Sequence, residues 1–114
     1  TVKQTIENGT NAAVRLAPWA PGRRLVLCEG VEDGLAVLAT CPDVTPWAVL
    51  GTANAAAVLL PEGAEITLCL DGDAPGRKAA RAAVAALWAR GHRVRVATLP
   101  DGTDPAELLG RAVP

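Results

Sequence analysis

The apolar segment Glu65-Ile66-Thr67-Leu68-Cys69-Leu70 is followed at once by Asp71-Gly72-Asp73. It then enters Ala74-Pro75-Gly76-Arg77-Lys78 and an alanine-rich stretch that runs to Gly91. A strand that turns within a few residues into a long helix must send the chain back across a sheet, so this one unit commits the fold to β-α crossovers. Pro75 suits the first helical turn, where its missing N–H costs nothing, and Gly91 suits the C-terminal cap. Between them Ala80, Val84, Leu87 and Trp88 fall at helical spacing on one face, with Arg77, Arg81 and Arg90 away from it.

The same alternation begins at Arg24. Leu25 to Cys28 is a continuous apolar run, as expected of a strand covered on both faces, and it ends in Glu29-Gly30. Residues 32–40 read as a helix stopped by Cys41-Pro42. Trp47 to Leu50 reads as a second strand ending in Gly51-Thr52, and residues 53–60 as a short helix ended by Pro61. Val94 to Leu99 reads as the fourth strand, followed by a short helix from Pro105 to Leu109. The expected fold is α/β, an approximately four-stranded and mainly parallel sheet flanked by helices. Residues 1–22 are poorly patterned and read as a hairpin, or as an N-terminal extension or tail of a preceding domain; residues 23–114 form the domain proper.

A length of 114 residues fits one domain. Half the residues are hydrophobic but the only aromatics are three Trp, so the core must be built from Ala, Val and Leu. The net charge of -1 gives no bulk argument for nucleic-acid binding. Yet Arg77, Lys78, Arg81, Arg90, Arg93 and Arg95 lie close after the paired acids, either as a solvated face or as a phosphate-facing patch. Cys28, Cys41 and Cys69 show no C-x-x-C spacing; Cys28 and Cys69 read as small buried residues in a reducing compartment. No apolar run approaches membrane-spanning length and no signal-peptide pattern opens the chain, so no membrane partner and a cytoplasmic location are expected. Asn8-Gly9-Thr10 reads as a turn, and the start at Thr1 suggests a piece of something longer.

The acids carry the chemistry. On a strand, residues two apart face the same way, so Asp71 and Asp73 are expected to share one small volume, where like charges require a cation, most naturally magnesium with oxygen ligands. Ligands in open α/β sheets bind beyond the carboxyl ends of the strands. Glu29, the Asp71-Asp73 pair, and Asp101 with Asp104 each follow such an end. The helix N-terminus with Arg77 and Lys78 adds positive character suited to a phosphate. No Ser-His-Asp or Cys-His arrangement competes, since the single histidine, His92, falls at a turn and reads as solvent-exposed. Metal-assisted phosphoryl or nucleotidyl transfer is the leading reaction class.

These pieces together resemble the Toprim domain, the Rossmann-like metal-binding module of bacterial-type primases, type IA and type II topoisomerases and several nucleases. The resemblance is carried by Glu29-Gly30-Val31-Glu32-Asp33 after the first strand and by Val49-Leu50-Gly51-Thr52. It is carried also by Asp71-Gly72-Asp73-Ala74-Pro75-Gly76-Arg77-Lys78-Ala79-Ala80 and Leu99-Pro100-Asp101-Gly102-Thr103-Asp104-Pro105. The third and fourth pieces look most like primases, including those of phages and plasmids. The resemblance implies Glu29 as the general acid/base and a contributor to metal binding, with Asp71, Asp73 and Asp104 holding Mg²⁺ or Mn²⁺. It places Gly30, Asp33, Arg77 and Lys78 at the substrate phosphates. The implied partners are a DNA template, nucleoside triphosphates and other domains of a larger primase or primase-helicase.

There are departures. Primases often place a further acid two residues after the position of Asp104; here Ala106 stands there and Glu107 follows. The chain has no zinc-binding module and no helicase motor, so it reads as an isolated Toprim domain that can be inactive alone. The leading expectation is a primase-type nucleotidyltransferase in DNA replication. A Toprim nuclease or topoisomerase is the second, although the chain has no Tyr to act as a topoisomerase nucleophile. A non-catalytic metal- and DNA-binding module is the third.

Overall fold

The computed structural model describes residues 13–50 and 52–97. Five strands form one sheet: β1 (Val14–Arg15), β2 (Arg24–Cys28), β3 (Val44–Ala48), β4 (Glu65–Cys69) and β5 (Arg93–Val96), in the order β1-β3-β2-β4-β5. Helix α1 (Val31–Thr40) links β2 to β3, and α2 (Ala74–Ala89) links β4 to β5. The pairings β2–β3, β2–β4 and β4–β5 are parallel, and β1 adds an antiparallel edge on β3. The α/β class and the mainly parallel sheet agree with the expectation; β1 is a fifth strand beyond it.

Inward-facing residues of the sheet divide by alternation into two layers. Leu25, Leu27, Trp47, Ile66 and Leu68 pack with Ala80, Ala83 and Leu87 of α2, while Val26, Cys28 and Cys69 pack with Val37 of α1. The small alanines of α2 let the helix lie close to the sheet, and bulk comes from Trp47, whose indole Nε1 donates to Ala17 O at 3.0 Å.

Four expectations are corrected. The second main strand runs over Val44–Ala48 rather than Trp47–Leu50, because Pro46 is tolerated inside it. β1 pairs Val14 with Ala48 and Arg15 with Trp47 and stops at Arg15, short of the position opposite Pro46, which has no N–H to offer. The helix expected over 53–60 is a 3-10 segment, Thr52–Ala56, since Asn54 donates its side-chain amide to Val49 O at 2.9 Å, competing with helix propagation. His92 is buried rather than exposed: it sits at the entry to β5, 4% accessible, with Nδ1 3.0 Å from Ala64 O, which fixes the proton on Nδ1. Trp88, in turn, is 57% exposed because it lies on the flank of the face that buries Ala80, Ala83 and Leu87. Residues 1–12, the expected end of the last strand at Leu99, the helix from Pro105 and the acids Asp101 and Asp104 lie outside the described residues. No helix among the described residues is long and apolar enough to cross a membrane.

Candidate metal centre

The chain passes from β2 through α1 to β3 on one side, then crosses to β4 on the other side of β2. The crevice at the carboxyl ends of β2 and β4 is therefore the point where the winding reverses, the place at which open α/β sheets bind ligands. Cys28 and Cys69 are register partners at the ends of these two strands, so Glu29 and Asp71, one and two residues further on, flank that crevice.

Glu29 is half-buried, yet its Oε2 is withdrawn from solvent without a hydrogen-bond donor among the described residues. Its backbone is fixed from the neighbouring strand end: Leu50 N donates to Glu29 O at 2.9 Å, and Val49 N to Cys28 O at 2.8 Å. Leu50 itself holds a left-handed φ of 57°, and Asn54 hydrogen-bonds the carbonyls on either side of the Leu50 N–H, Val49 O and Leu50 O. Strain of this kind persists only where surrounding structure imposes it, and it clusters at functional sites. Gly30 is the N-cap of α1 and offers no side chain to the crevice. Asp33, in the first turn of α1, is buried where the helix dipole favours an anion, and its Oδ2 lies 3.9 Å from where a Cβ on Gly30 would stand.

Asp71 is half-buried, with Oδ1 withdrawn from solvent. Asp73 is exposed and is the N-cap of α2: its Oδ1 accepts from Gly76 N at 2.7 Å. The expectation that strand alternation aims both acids alike does not describe the backbone here. β4 ends at Cys69, so both residues belong to the turn that starts α2. Asp73→Ala is expected to lower stability by about 1 kcal/mol in metal-free solution, the ordinary cost of losing an N-cap; urea unfolding with EDTA present measures it.

Gly76 was not legible as a site residue. A Cβ there would stand 2.1 Å from Asp71 O and 2.9 Å from Asp73 Oδ1, so glycine alone lets the first turn of α2 close onto the acidic turn. The only sequence signal was a glycine in a helix's first turn. Arg77 and Lys78 are exposed in that same turn, and Arg77 lines a cleft of about 430 Å³ together with Asp71, Gly72, Arg81 and Val96. The remaining basic residues are not part of this group: Arg90 donates to Val58 O at 2.8 Å, and Arg93 and Arg95 lie on β5.

The electrostatics agree with this placement. The Cys28 thiol is pushed well above its ordinary value, first by its hydrogen bond with Cys69, then by burial and by the negative charges of Asp33 and Asp71. Both carboxylates bear on this one buried thiol, and Cys28 and Cys69 are the small buried residues the sequence suggested, free of disulfides.

The donor set is all oxygen, as hard divalent cations require. An acceptor-only carboxylate oxygen buried without a donor, as on Glu29, is the kind of group a cation satisfies. Among the described residues no three His, Cys, Asp or Glu side chains form a complete cation site. Glu29 and Asp71 flank the crevice, and Asp104 lies outside the described residues.

A family profile described as Toprim domain matches residues 24–113. The chain belongs to the Toprim family. Over 44 residues, 39% of the chain, it is 54% identical to a DNA primase of Geobacillus stearothermophilus. Over 87 residues, 75% of the chain, it is 33% identical to a DNA primase of Treponema pallidum (strain Nichols). It spans 7% and 14% of these two relatives' lengths. Among solved structures it resembles the Aquifex aeolicus primase, comprising zinc-binding and RNA polymerase domains, with TM-score 0.60 and 29% identity, covering 76% of this chain and 22% of that one. It also resembles the primase fragment of the bacteriophage T7 primase-helicase, with TM-score 0.61 and 30% identity, covering 82% and 41%. This Toprim domain is thus of the primase type.

Proposed function

We infer that the domain is the nucleotidyl-transfer centre of a cytoplasmic primase-like replication protein, joining nucleoside triphosphates into an RNA primer on a DNA template. The observation that carries the reading is Glu29 Oε2, buried and without a hydrogen-bond donor among the described residues, at the β2–β4 crevice beside Asp71. When bound there, Mg²⁺ or Mn²⁺ supplies the charge that stabilises the attacking and leaving oxygens in phosphoryl transfer. Asp71 and Glu29 would hold it, with Asp104 as a further ligand from beyond the fourth main strand. Asp73 caps α2 through Oδ1, and Oδ2 would be the oxygen it offers the ion. Arg77 and Lys78, at the positive end of α2, orient phosphates, and Gly30 lets a substrate approach the backbone while Asp33 closes the opposite wall. Glu29 is the group placed to accept a proton from an attacking hydroxyl.

Magnesium titration of the domain tests the metal reading directly. At ten times its dissociation constant a bound ion raises stability by about 1.4 kcal/mol, a shift readable as melting temperature. Asp71→Asn is expected to remove most of that shift. An equal shift in the variant and in the wild type would sink the assignment.

A further inference from the structure

We propose that the cleft at the amino end of β4 and β5, lined by Arg24, Glu65, Trp88, Arg93 and Arg95, is a second, metal-independent binding surface for single-stranded nucleic acid. It lies at the opposite end of the sheet from the acids and measures about 470 Å³.

Its chemistry follows from register. Glu65 pairs with Arg93 and Thr67 with Arg95, so by alternation these residues share the sheet face of Arg24, Val26 and Cys28. That face is covered by α1 over Val26, Cys28 and Val44, but at β5 it presents two exposed arginines. Parallel sheets are ordinarily apolar on both faces, so an Arg-Val-Arg alternation marks a face meant to meet something charged. Arg24 spends part of its charge on Glu65 at 3.3 Å; among the described residues no ion pair engages Arg93 or Arg95. Charge alone would serve to blunt an edge strand. Trp88 is not explained that way: it stands 57% exposed beside the arginines, while Trp47 is 2% exposed and Trp19 donates its Nε1 to Arg23 O. An open indole among guanidiniums is the combination that stacks a base while neutralising its phosphates.

Position adds a second argument. Arg81 and Val84 of α2, with Val96 and Ala97, line the cleft that contains Asp71, and Trp88 lies on the same flank of the helix. The first cleft opens along the seam between α2 and β5; the second wraps the amino end of β4 and β5, with Trp88 entering from the α2 side and Arg93 and Arg95 from the opposite sheet face. Trp88 stands about 17 Å along the helix axis from Arg77, at 1.5 Å per residue. A strand entering or leaving the acidic crevice along this seam reaches Trp88 after a few nucleotides. The choice of ligand rests on the proposed primase reading, but the binding requires no metal.

Titration of the chain with a fluorescein-labelled oligothymidylate, in EDTA at low salt, tests the proposal by anisotropy and by quenching of tryptophan emission. Saturable binding with quenching is expected. Its logarithm should fall against log salt with a slope of about -2, as for three neutralised phosphates on a single strand. Arg93→Glu with Arg95→Glu should weaken binding at least tenfold and flatten that slope, and Trp88→Ala should weaken it about tenfold and remove the quenching. Arg93→Lys with Arg95→Lys should keep most of the affinity. The double Glu variant should still show the magnesium-dependent rise in melting temperature, which separates this surface from the metal centre. Undiminished binding in the double Glu variant overturns the proposal, as does binding that requires magnesium. Displacement of the oligonucleotide by polyglutamate at equal charge overturns it as well, in favour of an acidic protein partner.

Discussion

On the proposed primase reading, Glu29→Gln is expected to reduce primer synthesis by a protein carrying this domain by about 10²- to 10⁴-fold, the usual contribution of a positioned general acid or base. The substitution keeps shape and volume but removes both the basic oxygen and a negative charge from the crevice. Stability should move the other way. In metal-free solution Glu29 holds an oxygen buried without a donor among the described residues. A buried polar atom of this kind costs about 1–3 kcal/mol, so the neutral amide should leave the apo domain as stable or more stable. Primer synthesis and chemical unfolding of the same variant check both halves. A variant destabilised without metal, with activity lost in proportion to unfolding, would make Glu29 a structural residue instead. DNA cleavage by the wild-type protein without nucleotides would shift the reading to a nuclease.

The sheet and its acids were legible because they depend on local signals. The continuous apolar run at Leu25–Cys28 and the largely apolar segment at Glu65–Leu70, each followed by acid and Gly, read as parallel strands that end in loops. The crevice between β2 and β4 was legible only in outline: the acids were expected at one edge of the sheet, but strand order is a tertiary choice. What sequence did not carry were features decided by a distant partner. The strand starts at Val44 rather than Trp47 because β1 pairs only as far as Trp47 and asks no donor of Pro46. His92 followed a glycine cap like a surface turn, yet Ala64 O draws it inward. Trp88 has apolar character and helical spacing with Leu87, but a narrow alanine face leaves room for one large side chain, and Leu87 takes it. The strand rule applied to Asp71 and Asp73 does not govern them for a simpler reason: β4 ends at Cys69, before either acid.

Gly76→Ala should be as damaging to metal binding as removing a ligand, although Gly76 carries no ligand atom. In an unobstructed helix the change would stabilise by about 1 kcal/mol, because glycine is the poorer helix former. Here the new methyl meets the backbone oxygen of Asp71 at 2.1 Å and its carbonyl carbon at 3.0 Å. Those atoms cannot swing aside as a side chain can, so α2 must lift away from the turn or Asp71 must be displaced. Overpacking of this kind costs about 1–3 kcal/mol, enough to reverse the propensity gain. Either movement also breaks the Gly76 N to Asp73 Oδ1 cap and shifts the Asp71 carboxylate relative to Glu29. We expect the melting temperature to fall without metal and the magnesium-dependent rise to be largely lost. Ala82→Gly, at an exposed position further along the same helix, should lower stability by about 1 kcal/mol and leave the rise intact. That pair of measurements separates helix stability from turn geometry. A full magnesium response in Gly76→Ala would show that the acidic turn does not need its close contact with α2.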